Sequence, residues 1–92
     1  MTPQEFFKKD LFAGKTGVEL IEIKEGYSKA RLVITEEHLN AGHRTQGGAL
    51  FTLADLALAA AANSHGVLSF SLSSNITFLR GSGVGDTLYA EA

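Results

Sequence analysis

Ninety-two residues, 45% of them apolar and 20% charged, bound this chain to a single domain with a packed core, small enough to gain from a partner. A formal net charge of −2, with neither a basic stripe nor a polybasic run, argues against general attraction to nucleic acid or to an anionic membrane. A chain without cysteine has no disulfide framework, thiolate nucleophile, zinc–cysteine site or iron–sulfur cluster.

The amino-terminal stretch MTPQEFFKKDLFAG lacks the basic start, long apolar centre and small-residue cleavage site of a secretory signal, so it reads as mature protein with the cytoplasm as its default compartment. Thr2-Pro3 predicts a short helix, with threonine as cap and proline at the first helical position; Phe7 and Leu11 share one face and Gly14 ends it. GVELIEIK over Gly17 to Lys24 and YSKARLVIT over Tyr27 to Thr35 predict two antiparallel strands, joined as a hairpin through Glu25-Gly26. EEHLNAGHRTQ then breaks all periodicity and reads as a polar loop.

From about Gly48, alanines and leucines favour a helix that is apolar on nearly every face, stopped by Asn63-Ser64-His65-Gly66. Its apolar run is interrupted by Thr52 and Asp55 and falls short of the ~20 residues needed to cross a bilayer, which predicts a buried helix and no membrane partner. VLSFSLSSNITFLR alternates Phe70, Leu72, Ile76 and Phe78 against Ser69, Ser71, Ser73, Asn75 and Thr77, the pattern of a long half-buried strand. GSGVGD is a glycine-rich turn, and TLYAEA begins a further strand. This order predicts one α+β domain over 1–92, with a sheet curved around a central helix. Three strands and a fragment hardly wrap such a helix, so further carboxy-terminal strands are expected.

Asp55 is the only formally charged side chain between Arg44 and Arg80, set among leucine, alanine and phenylalanine where an unpaired carboxylate is expensive to bury. Gly47 and Gly48 stand at the amino end of the same helix, where backbone N–H groups lack helical partners and the dipole is positive. A glycine there lets a ligand approach, so that one N–H can polarise an acyl carbonyl. Asp55 lies eight residues from Gly47, about 12 Å along a helix axis, too far to act on the same carbonyl. Two antiparallel copies of the helix would bring Asp55 of one chain to Gly47 of the other, where the carboxylate serves as general base or nucleophile in a partly desolvated cleft. The competing structural reading makes Asp55 a hydrogen-bonded core residue and the Gly-Gly pair a simple loop-to-helix junction.

His38, His43 and His65 have neither the helical spacing nor the cysteine company of a metal site, so no metal is expected. His65 fits a helix-end residue, while His43 sits in the loop beside the glycines and is a candidate for touching substrate as well as a surface residue. RGSGVGD has no following lysine and helix and is not a phosphate-cradling loop. Arg44 and Arg80 are candidates for ligand phosphates or ordinary solvated arginines.

The stretch LNAGHRTQGGALFTLAD, with SSNITFLR and a Gly-Asp turn after it, resembles the signature of the hotdog-fold acyl-CoA thioesterases of the phenylacetic-acid-degradation (PaaI-like) family, from Leu20 onward. The resemblance implies a long helix wrapped by an antiparallel sheet, subunits paired edge to edge into dimers that often form tetramers, about two further strands, and no metal or organic cofactor. It makes Asp55 the carboxylate that activates water or attacks the thioester and Gly47 the N–H on its carbonyl. Asn40 matches a loop asparagine that positions water or substrate, and Ser71 a polar strand residue beside the site. Gln46 stands where many relatives have histidine, and its amide can donate to a thioester or a loop carbonyl. Gly48 and His43 join it as substrate-binding candidates.

The implied activity is hydrolysis of an aryl- or medium-chain acyl-CoA to free acid and coenzyme A, the acyl tail packing against Phe51 and the apolar helix. Two alternatives stay open: a hotdog dehydratase acting on β-hydroxyacyl thioesters, and a non-catalytic acyl-CoA-binding module.

Overall fold

The computed structural model describes residues 2–92. Helix α1 (Pro3–Phe7) starts as its sequence dictates: the Thr2 hydroxyl accepts the Glu5 N–H and proline takes the first turn. Gly14 does not end it. The chain breaks at Asp10, whose carboxylate accepts the Ala13 N–H at 3.0 Å and caps a second helix, α2 (Leu11–Thr16). Gly14 lies inside α2, and Gly17 closes it in the left-handed region at φ 97°. A short acidic side chain ahead of an unsatisfied N–H outcompetes continuation of α1 across Lys8 and Lys9.

Strands β1 (Glu19–Lys24) and β2 (Tyr27–Val33) form the expected hairpin, Lys24 facing Tyr27 across the two-residue turn with Gly26 at φ 73°. A bulge between Leu20 and Glu22 shifts the register of β1. β3 (Thr87–Glu91) pairs antiparallel with β2, from Val33 opposite Thr87 to Lys29 opposite Glu91, giving the sheet order β1-β2-β3. The loop read after β2 contains one 3-10 turn (Glu36–His38) and a single bridge from Leu39 to Thr45.

Helix α3 (Gly47–Asn63) crosses the inner face of the sheet. Ala49, Leu53, Leu56 and Ala57 bury against Ala30, Leu32 and Ile34 of the sheet side and Ala13 and Val18 of the amino-terminal segment, and Ala60 is fully buried on the same stripe. Small side chains at positions 57 and 60 let the helix backbone come down onto β2. The closeness is measured by Ser28, fully buried, whose hydroxyl donates to the Ala57 carbonyl at 2.5 Å. No helix of the described residues is long and apolar enough to cross a membrane.

The predicted strand over 67–80 is not a strand among the described residues. Its start is tied to the helix end, where the Asn63 side chain donates to the Ser69 carbonyl and accepts the Ser69 N–H. Its far end is tied by the Thr45 N–H to the Ser82 carbonyl. Between these ties no strand lies alongside, and Phe70 and Leu79 are 84% and 91% exposed. Alternation of side chains sets which face each would take, but a strand exists only where a neighbour completes the ladder.

Two predictions follow from the helix-on-sheet contact and from the outer sheet face. Ala57→Leu forces extra methylenes between α3 and β2 and is expected to lose about 1–3 kcal/mol, read as a lower urea midpoint. On the outer face, burial first, then the Glu91 and Glu22 carboxylates, raise the Tyr27 phenol above its ordinary 10.0. A raised phenol favours the protonated folded state, so its contribution is present below the ordinary tyrosine range and is lost as pH climbs through the folded value. Ultraviolet titration of a Tyr89→Phe variant should therefore show the remaining tyrosine ionising above pH 10, and adding Glu91→Gln should move the midpoint down.

Candidate functional site

The loop ahead of α3 is built around Asn40. Its side-chain oxygen accepts the N–H groups of Gly42 and Arg44, and its backbone bonds to Arg44 and His43 close the turn. This is the local competition that asparagine wins in turns, and it fixes where the chain re-enters the helix. His43 takes the left-handed conformation at φ 59° and points to the exposed tip. The loop is held from outside by His38, whose Nδ1 accepts the Thr35 N–H while Nε2 hydrogen-bonds to the Thr16 carbonyl at the end of α2. The His38 carbonyl in turn accepts the Gln46 N–H at 2.7 Å.

Gln46 is the N-cap of α3. Its side-chain oxygen accepts the Gly47 N–H at 3.0 Å, so the donor singled out as an oxyanion group is held by its own neighbour. Gly47 has a packing reason to lack a side chain: a Cβ there would stand 2.9 Å from Cζ of Phe78. Gly48 is exposed, and its carbonyl accepts the Thr52 hydroxyl.

Asp55 sits on the flank of α3 that turns away from the sheet and is exposed in the single chain, not desolvated as its apolar neighbours in sequence suggested. The reason is helical geometry: Leu53, Leu56, Ala57 and Ala60 take the buried stripe, which leaves position 55 on the opposite side.

Two cavities divide the sequence-derived residues between them. One of about 530 Å³ is lined by Asp55 and Ser71 with Phe51, Thr52, Asp10 and Phe12. A second of about 490 Å³ gathers Asn40, Gln46 and Gly47 with Phe78 and Arg80. Gly48 and His43 line neither. Another apolar cavity of about 530 Å³ meets the first at Asp10, Asp55 and Ser71 and runs between α1 and α3, past Phe6, Phe7, Leu58 and Phe70.

Two of these neighbours, and one contact, were not marked as part of a site by the sequence. Asp10 precedes a helix start as a cap would, a signal that was available. Phe78 was assigned only to an apolar strand face, and its contact with Gly47 is purely tertiary. Nothing in sequence marks the Gln46 side chain as folding back onto the next residue. Among the described residues no three His, Cys, Asp or Glu side chains group as metal ligands.

A profile of the thioesterase superfamily matches residues 45–92, the stretch that holds α3, the 67–80 segment and β3. An Archaeoglobus fulgidus protein, whose esterase name is itself provisional, is 42% identical over 86 residues, covering 94% of this chain and 56% of its own. The Escherichia coli acyl-coenzyme A thioesterase PaaI is 37% identical over 86 residues, covering 94% of this chain and 61% of its own. The chain thus spans about three fifths of the length of these relatives. The solved structure of the Escherichia coli PaaI protein superposes with a TM-score of 0.89 at 36% identity, over 95% of this chain and 63% of that one. A Streptococcus mutans protein solved with acetyl-CoA bound superposes at 0.77 and 25% identity, over 82% and 60%. The central helix on an antiparallel sheet is the hotdog arrangement, and the chain belongs to the thioesterase superfamily.

Proposed function

We propose that this chain is the core of an acyl-CoA thioesterase that hydrolyses aryl- or medium-chain acyl-CoA to free acid and coenzyme A in the cytoplasm, from a site shared by two copies. The observation that carries this reading is the division of one signature between two cavities at different places along α3. Asp55 and Ser71 line one, and Asn40, Gln46 and Gly47 line the other. Eight residues of rigid helix hold the two halves about 12 Å apart, so one chain has a carboxylate without an oxyanion donor and a donor without a carboxylate. A second copy running antiparallel completes both.

The unpaired 67–80 segment supports such pairing, because its edge carries backbone groups free to meet an identical segment. Such dimers can associate further into a tetramer. The exposure of Asp55 in the single chain fits the same reading, since the partner would supply the cover that desolvates it.

In the completed site Gly47 N–H polarises the thioester carbonyl and Asn40 orders water or substrate beside it. Asp55 either takes a proton from the attacking water or attacks the carbonyl carbon itself, giving an anhydride that water then opens. In both routes the carbonyl electrons move onto oxygen, where the N–H receives them. They return as the C–S bond breaks, and the thiolate leaves to take up a proton. Ser71 borders the carboxylate and orients the water, and Gln46, Gly48 and His43 flank the coenzyme A side. The acyl tail enters the apolar cavity between α1 and α3.

The test is release of free thiol from phenylacetyl-, benzoyl- and straight-chain acyl-CoAs by the protein and by Asp55→Ala and Asp55→Asn. Turnover should fall by at least ~100-fold in both variants, the order expected for loss of a catalytic acid–base group, with the fold and the dimer retained. Absence of turnover on every thioester, with tight acyl-CoA binding that neither substitution changes, would instead identify a binding module.

A further inference from the structure

The contact between Gln46 and Gly47 bears on how a thioester reaches the donor. An amide carbonyl is a neutral sp² oxygen, the same kind of acceptor as a thioester carbonyl, and here it already holds the Gly47 N–H at 3.0 Å. The rest of Gln46 is pinned. Its N–H donates to the His38 carbonyl, and its own carbonyl accepts the N–H groups of Ala49 at 2.9 Å and Leu50 at 3.4 Å. Only the side chain is free to leave, and the residue is exposed on the cavity that Gly47, Leu50, Phe78 and Arg80 line.

We propose that the Gln46 side chain is an internal competitor for substrate: its carbonyl closes the Gly47 donor, and a thioester binds only by displacing it. This rests on the reading that Gly47 receives the thioester oxygen. Gln46 is a positioning residue in this scheme, one that acts through Gly47.

The competition has a direction. An amide oxygen is a good match for a neutral N–H donor, so it contends effectively with the ground-state thioester. Hydrogen bonds to an ionised oxygen are roughly twice as strong as neutral ones, so the tetrahedral oxyanion displaces the amide far more easily. The cap therefore weakens capture of substrate while leaving the advantage of the transition state over the ground state in place. Apparent affinity falls by the fraction of chains in which the donor is open.

Two substitutions separate this from a plain helix cap. Gln46→Ala removes the competitor, and Gln46→Glu offers a charged acceptor to a helix start, where it closes more firmly. Stability and substrate affinity should then move in opposite senses. Thermal unfolding is expected at lower temperature for Gln46→Ala and higher for Gln46→Glu. KM for a neutral S-acyl-N-acetylcysteamine, chosen so that no substrate phosphate meets the new charge, should fall about fivefold in Gln46→Ala and rise in Gln46→Glu. Fivefold is the change that corresponds to one neutral hydrogen bond of ~1 kcal/mol. The Gly47 amide proton should also move upfield in ligand-free Gln46→Ala as its acceptor is lost.

A KM that rises in Gln46→Ala, or is the same in both variants and the unsubstituted protein, would overturn the competitor role while thioester hydrolysis stands. Failure of the unsubstituted protein to turn over any thioester would remove the reading beneath it, and the two failures are thus distinct.

Discussion

The seat of α3 on β2 is the constraint on which the rest of this molecule depends. Ser28 can donate to the Ala57 carbonyl only because alanine stands where the two backbones approach, and the bond consumes a hydroxyl that would otherwise be buried without a partner. Leu32 and Ile34, farther along the same chain segment, are buried in the same core. A helix fixed in this way has no freedom to slide or roll, so the positions of both its ends and of every residue on its outer flank are set by the core. Asp55 faces outward because Leu56 and Ala57 face inward.

Rigidity then becomes a statement about distance. A loop could bend to bring a carboxylate to an amide eight residues away, but a straight helix cannot. Asn40 and His38 add to this from the other side, since the loop they organise delivers Gln46 to one place with its backbone fully bonded. Each half of the proposed site is consequently preorganised within a single chain, and pairing need supply only juxtaposition. The inner surface of the helix specifies the fold, which leaves its outer surface for the proposed chemistry.

Much of this was legible in sequence, and the reasons differ from element to element. The β1–β2 hairpin and α3 were readable because their signals are local: a glycine in a two-residue turn, and a run of alanine and leucine ended by Asn-Ser-His-Gly. The residues proposed for the two half-sites were singled out from their order, because a charge in an apolar run and a glycine pair at a helix start each stand out from their neighbours. What failed was whatever depended on a partner distant in the chain. Residues 67–80 have the alternation of a strand, yet pairing is not a property of one segment, and without it the segment forms no strand. Gly14 looked like a stop because glycine often is one, whereas the capping carboxylate of Asp10 and the left-handed Gly17 decided the boundaries. The burial of Asp55 was inferred from its neighbours along the chain, but neighbours around a helix are three and four residues away.

Gln46 shows a further limit of pattern and the physics behind it. A helix start needs its exposed N–H groups satisfied for stability, and an oxyanion donor needs one of them unsatisfied for chemistry. In the proposed scheme the two demands meet at Gly47, where a side chain at position 47 itself is barred by the ring of Phe78. Only an adjacent residue can cap the group and still withdraw. In that scheme glutamine does so with a neutral, flexible acceptor: strong enough to hold the N–H until a thioester displaces it, and weaker than the charge that forms when a thioester carbonyl is attacked. A carboxylate at the same position would secure the helix at the expense of the donor, and an apolar side chain would leave the donor open and the helix frayed.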